Sequence, residues 1–498
     1  MQKSTPNLLF LFTDQQRFDT IHALGNPWIK TPNLDRLCRE GTAFTSAYTP
    51  AAECVPARCC MITGQYVNQH GCGSNEQHMP PEDFPTYMSR LKEAGYRTHG
   101  AGKCHFTPNP EALRGFQTRD MSEEVPGEVE RNDYRDAVRA AGYGHVVEPL
   151  GIRGEMYYIP QPSQLPAKYH HSHWVADRCI DFIKNEEDSE QPWMLYGGFI
   201  HPHPPFAPPN PWHKLYRAPD MPLPHLPEDD GSLTCFINRF QNRYKYRDRG
   251  MDLNLVRCIR AYYAACISFM DQQVGRILDQ LEASGELDNT LIVFSSDHGE
   301  LLGDFGCFGK RSFHDVASRV PLIARLPGRF PAGKQCTLPA SLVDIAPTFC
   351  AAAGLDNDPS YDGVDLAELA NGSSSRDTVF FQYNRGENAL VGSVNTEYKY
   401  VWSAPDQREY LFAREDSPET RNLADSTDVN EAKSHLKNKL LAHHLAGNFR
   451  DEILESEKSF LKVPVRTMPA DPDAGLIFQD PGGFKLDLPE GYLPENSN

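Results

Sequence analysis

An unbroken apolar run at residues 8–12 follows a polar start and stops at Thr13-Asp14-Gln15-Gln16-Arg17. Five apolar residues are too few for a membrane span or the core of a secretory leader, and a run without alternation reads as a strand buried on both faces. Residues 193–199 and 290–295 read the same way, and 96–100 reads as a strand opening into Lys103-Cys104-His105. Between these runs the period changes to that of helices. Thr31 and Pro32 predict a helix start and Gly41 a left-handed stop, with Leu34, Leu37 and Cys38 on one face. Further helices are predicted from about Pro56 to just before Gly64, over 86–94, and over the long stretch 253–283. Alternating strands and helices predict an α/β fold, a large mixed sheet sandwiched by helices.

Acidic and histidine residues fall just past the C-terminal ends of these strands, the edge where open α/β sheets bind ligands. Later the pattern shifts. Residues 356–376 read as a linker, and 378–383, 398–402 and 409–412 predict a small antiparallel sheet with one helix over 430–445. The expected division is 1–370, a smaller α+β domain 371–450, and a Pro-, Gly- and Asp-rich arm 451–498. Of 40 prolines, ten lie between Pro202 and Pro227, which predicts a long surface loop.

Composition narrows the function. The formal charge of −18 argues against a surface built to coat nucleic acid. Thirteen cysteines, an odd number with no Cys-x-x-Cys pair of zinc-site type, argue against a secreted disulfide scaffold. If Met1 is the native start, the chain is expected to be cytoplasmic, without membrane attachment.

The chemistry gathers around Cys54-Val55-Pro56-Ala57-Arg58 at a predicted helix start, where backbone N–H groups favour an anion. With it stand Asp14-Gln15, Gly64, Gly102-Lys103-Cys104-His105, Pro202-His203-Pro204, Ser296-Asp297-His298-Gly299 and Gly309-Lys310. The C-terminal Glu409-Tyr410-Leu411-Phe412 and Pro418 to Leu423 complete the set. In type and order this series resembles the formylglycine-dependent sulfatases of the alkaline phosphatase superfamily, over roughly residues 5 to 425. Asp14-Gln15 and Asp297-His298 resemble the branch that includes choline sulfatases and phosphonate monoester hydrolases. Many sulfatases carry paired acids and Asp-Asn there instead.

The resemblance implies an alkaline phosphatase-like fold and hydrolysis of a sulfate monoester to an alcohol and inorganic sulfate. Cys54 would be matured to 3-oxoalanine, formylglycine, by a dedicated enzyme, since a hydrated aldehyde attacks sulfur where a thiol would not serve. One divalent metal is implied at Asp14, Gln15, residue 54, Asp297 and His298: calcium first, with manganese or zinc admitted by the amide and imidazole. Arg58 would hold the formylglycine, and Lys103 and Lys310 would bind sulfate. His105 would take the proton that triggers sulfate release, and His203 would protonate the leaving group. His203 is preferred to His201 because it directly precedes Pro204-Pro205-Phe206. Asn75 is a substrate contact by the resemblance and a turn residue by its own chemistry.

Three functions stay open. A sulfatase acting on a small-molecule or saccharide sulfate ester leads, because Lys103-x-His105 is the sulfatase form. A phosphonate monoester or phosphodiester hydrolase of the same superfamily is the alternative. The third is a non-catalytic anion-binding protein in which Cys54 is never converted. The arm at 451–498 would suit a homo-oligomer contact.

Overall fold

A computed structural model describes residues 5–124, 131–186, 189–228, 231–242 and 252–471. The strands in chain order are β1 (Asn7–Thr13), β2 (Thr42–Phe44), β3 (Ala47–Tyr48), β4 (Arg97–Gly102), β5 (Thr118–Met121), β6 (Trp193–Gly198), β7 (Thr290–Ser296), β8 (Leu322–Arg325), β9 (Lys334–Cys336) and β10 (Ala340–Ser341). Eight form one mixed sheet in the order β5-β4-β6-β1-β7-β8-β2-β9, with β3 and β10 paired separately. β1 lies at its centre, parallel to β6 and β7, while β8 runs antiparallel to β7 and β2.

Alternation along β1 explains why both faces are covered. Leu9 and Leu11 point into a core shared with the helices Pro32–Glu40, His171–Glu186 and Leu253–Ala283. Leu8, Phe10 and Phe12 point to the opposite face, against Cys54–Thr63, Tyr87–Glu93 and Ile345–Ala352. A strand buried on both sides needs no polar face, which is why its sequence is a plain apolar run.

A second, antiparallel sheet follows: β11 (Val379–Tyr383), β12 (Leu390–Val394), β13 (Tyr398–Ser403) and β14 (Arg408–Ala413), in that order. One face, with Phe381, Val401, Tyr410 and Phe412, packs on Tyr48, Leu233 and Phe313 of the larger body. The other, with Val391, Tyr400 and Leu411, is covered by Leu436, Leu440 and Leu441 of the helix Asn430–Leu445.

Several expectations need correction. Gly41 is extended (φ −136°) rather than left-handed, and the side chain of Thr31 does not cap its helix; Asp271 accepts from Asn33 N and Leu34 N instead. The signature helix starts at Cys54 itself, two residues before Pro56. The proline-rich stretch is not all surface: residues 201–209 are buried, His201 to Phe206 running beneath the 153–170 loops. The stretch read as a linker contains the helix Leu366–Asn371, whose Leu366 and Leu369 belong to the larger core. β12 was missed because Leu390-Val391-Gly392-Ser393-Val394 carries a glycine where Phe381 packs closely. The arm begins as a hairpin, β15 (Leu454–Ser456) and β16 (Ser459–Phe460), packed on the late helix; its residues 472–498 lie outside the described ones. Every cysteine is a free thiol, and all are buried except Cys258, which is half-buried.

Candidate active site

The site forms where β1 and β7 end. Thr13 and Ser296 are register partners, so the residues that follow, Asp14 and Asp297, emerge side by side. Gln15 turns the chain with φ +66°, and its N–H donates to Asp297 Oδ1 at 3.0 Å, as does that of His298 at 2.9 Å. Both carboxylates are fully buried. Burial raises the pKa of Asp14, but Lys103, His203, Lys310 and Arg58 outweigh it and hold the group well below the usual carboxylate range.

Across from them, Cys54 opens the signature helix and Arg58 follows one turn later on the same face. Arg58 Nε donates to Asp297 Oδ2 at 3.0 Å and Nη2 to Asp14 Oδ2 at 3.1 Å. Nη1 donates to Tyr196 Oη at 2.8 Å and to the Lys103 carbonyl at 3.0 Å, so the guanidinium joins helix and sheet edge. The helix start is capped from outside. Asn75 Oδ1 accepts from Val55 N at 2.9 Å, and Glu53 accepts from Asn75 N at 2.8 Å and from Arg311 Nε at 2.6 Å.

Two lysines converge on this centre. Gly102 has φ +95°, and a Cβ there would lie 2.1 Å from the Gly198 carbonyl, so only glycine lets the chain turn Lys103 inward. Lys103 Nζ donates to Asp14 Oδ2 at 2.6 Å and to Glu124 Oε2 at 2.8 Å. Lys310 Nζ donates to Gln15 Oε1 at 3.0 Å and to Cys54 Sγ at 2.8 Å. The structure separates the two candidate histidines. His203 lies 3.2 Å from Glu124 and 3.4 Å from Tyr157 Oη, whereas the His201 ring packs at a tilt against His170 and His171 with neither ring nitrogen hydrogen-bonded. His105 follows Lys103 with φ +55°, and its Nδ1 is buried and without a partner.

The donors suit a divalent cation. One ligand atom each from Asp14, Cys54, Asp297 and His298 lie within 4.8 Å of one another, all four residues buried. The two Oδ2 atoms are held by Arg58 and Lys103, while Asp14 Oδ1 and Asp297 Oδ1 lie 3.9 and 3.5 Å from His298 Nε2. His298 Nδ1 donates to the Gly299 carbonyl at 3.0 Å, which directs Nε2 toward Cys54 Sγ, 3.3 Å away. Gln15 stands beside this group with its amide engaged by Lys310 and Glu300.

The Sulfatase family model matches residues 6–355. The chain belongs to the sulfatase family. A second model, N-sulphoglucosamine sulphohydrolase, C-terminal, matches residues 303–445. The sulfatase is 29% identical to an arylsulfatase of Clostridium perfringens over 93% of this chain and 99% of that one. It is 29% identical to a choline-sulfatase of Rhizobium meliloti over 86% and 84%. Its fold superposes on a phosphonate monoester hydrolase of Agrobacterium radiobacter with a TM-score of 0.77 at 25% identity, covering 92% of this chain and all of that one. Membership makes it a sulfuric ester hydrolase with an alkaline phosphatase-like fold. Among the described residues, no helix is long and apolar enough to cross a membrane.

Four residues of this sulfatase's site carried no motif. Tyr196 supports Arg58 from β6, and Glu300 accepts from Gln15, from Leu302 N at 2.9 Å and from Tyr158 Oη at 3.3 Å. Glu124 and Tyr157 come from the 106–170 loops. Glu300, two residues past His298, follows a strand end and was open to notice; the other three are set by long-range packing.

Proposed function

We propose that this enzyme hydrolyses a sulfate monoester, R–O–SO3⁻, to an alcohol and inorganic sulfate through a formylglycine derived from Cys54. The observation that carries the reading is the convergence on Cys54 Sγ of Lys310 Nζ at 2.8 Å, His298 Nε2 at 3.3 Å and Asp14 Oδ1 at 3.8 Å. A thiol enclosed by a cation and two metal-type donors at a helix start is a place for an oxygen nucleophile and an anion.

Asp14, Asp297, His298 and residue 54 would hold one divalent metal, calcium first, with Gln15 alongside. A bound cation supplies Lewis acidity at the sulfate oxygens, and formylglycine supplies a hydrated aldehyde as nucleophile. The chain's own residues do the rest. Arg58 orients residue 54 from one turn below. Lys103 and Lys310 neutralise the non-bridging oxygens as charge builds. His203 Nε2 gives a proton to the departing alkoxide, and His105 takes the proton that releases sulfate from the enzyme. Asn75 holds the helix start and borders the substrate. Maturation requires a formylglycine-generating partner enzyme.

The phosphonate monoester hydrolase likeness sustains the alternative reading. Lys103 and His105 favour sulfate. The deciding experiment ranks kcat/KM for a sulfate monoester, a phosphonate monoester and a phosphodiester with the same aryl leaving group. The sulfate ester is expected first, and a reversed order overturns the assignment.

A further inference from the structure

Glu124 brings a carboxylate to Lys103 and His203 from a segment with no motif. Its Oε2 lies 2.8 Å from Lys103 Nζ and 3.2 Å from His203 Nδ1, and its side chain is 13% exposed. Its backbone carbonyl accepts from Arg153 Nη2 at 3.2 Å, which pins the segment. Burial alone would neutralise such a carboxyl, but His203, Lys103 and Arg153 outweigh it and keep the group ionised.

Lys103 and His203 depend on Glu124 unequally. Lys103 already has Asp14 Oδ2 at 2.6 Å. Among the described residues, His203 has no other carboxylate at ion-pair distance. Its Nδ1 also lies 2.7 Å from the Pro204 carbonyl, a pure acceptor, so Nδ1 carries a proton and donates. That leaves Nε2 for the reacting ester, beside Tyr157 Oη at 3.4 Å. Burial outweighs its charged neighbours and holds the imidazole well below the usual histidine range, and Glu124 is the strongest influence opposing burial.

We propose that Glu124 is a positioning residue for His203: its carboxylate sits against the Nδ1 edge of the ring, presents Nε2 to the bridging oxygen, and supplies the countercharge for the proton that Nε2 donates. The inference rests on the reading of His203 as general acid. As the nucleophile's oxygen bonds to sulfur and the bond from sulfur to the bridging oxygen breaks, that bond's electron pair stays on the bridging oxygen and takes the Nε2 proton. The imidazole becomes neutral, Nδ1–H stays with Pro204 and Glu124, and Glu124 remains a carboxylate throughout.

The test uses the matured enzyme and the variants Glu124→Gln, Glu124→Asp, His203→Ala and the Gln/Ala double, assayed on aryl sulfates of rising leaving-group pKa and an alkyl sulfate. Glu124→Gln should lose about 10- to 100-fold in kcat/KM on the poorest leaving groups and only a few fold on the best. Glu124→Asp, which keeps the charge, should restore most of the wild-type slope. In the His203→Ala background, Glu124→Gln should cost nothing further. A loss uniform across the series, or losses that multiply in the double variant, would show that Glu124 acts through Lys103 and overturn the inference alone. Absence of wild-type turnover on any sulfate ester would sink the functional reading, and the inference with it.

Discussion

Asp14 and Asp297 are neighbours because Thr13 and Ser296 are paired across two parallel strands at the centre of the sheet, and Arg58 closes the pair by binding Oδ2 of both. Two buried carboxylates this close would repel strongly without the guanidinium. With it, each turns its Oδ1 toward Cys54 and His298: Asp14 Oδ1 lies 3.8 Å from Cys54 Sγ, and Asp297 Oδ1, which accepts from Gln15 N and His298 N, lies 3.5 Å from His298 Nε2.

This arrangement makes Arg58 a stability determinant as well as a site residue. Its side chain is 1% exposed, and removing one partner of a buried ion pair leaves uncompensated charge. Arg58→Met should lower the unfolding free energy by about 3–5 kcal/mol, read from urea denaturation of metal-free protein. A change under about 1 kcal/mol would show that the carboxylates are neutralised in another way.

Cys54 is buried at the helix start, and alanine is both smaller and a strong helix former, so the replacement should be tolerated. Cys54→Ala should keep the wild-type melting profile while kcat falls by at least about 10⁴-fold. In wild-type protein from its native host, intact mass should be about 18 Da below the sequence mass, thiol having become aldehyde. An unmodified, inactive wild type would support the non-catalytic anion-binding reading.

Asn75 tests a helix cap against a substrate contact. Its Oδ1 satisfies Val55 N, and removal of such an acceptor costs about 1 kcal/mol. Asn75→Ala should therefore lower the melting temperature, and Asn75→Asp, which keeps the acceptor, should not. An unchanged melt for Asn75→Ala with a raised KM would assign the residue to substrate alone.

Metal dependence follows from the four buried donors. Chelation followed by dialysis should abolish turnover and lower thermal stability. Restoring the cation at 100 times its dissociation constant should return about 2.7 kcal/mol. Calcium is expected to restore most activity; manganese or zinc doing better would reassign the site.

How much of this was legible beforehand depends on the range of the interactions involved. The apolar run of β1, the helix Leu253–Ala283 and the helix Asn430–Leu445 were readable because period and end signals lie within the segment. The motif residues Asp14, Cys54, Arg58, Lys103, His203, Asp297, His298 and Lys310 were readable in the same sense, and the fold brings them together. The burial of residues 201–209 was not, because prolines forbid a ladder without saying whether a loop lies on the surface or under another loop. Nor was the helix Leu366–Asn371, six residues among turn formers.

By itself the sequence determined most of the elements and the chemical types at the strand ends, which local spacing carries, and its motifs in order carried the resemblance to the family. Only the tertiary structure decided which histidine faces the site, that Asn75 caps the helix of Cys54, and that Glu124 joins Lys103 to His203. Those contacts link segments distant in the chain, and their geometry exists only after the sheet has aligned β1 with β7 and the segments carrying Glu124 and Asn75 have packed at its edge.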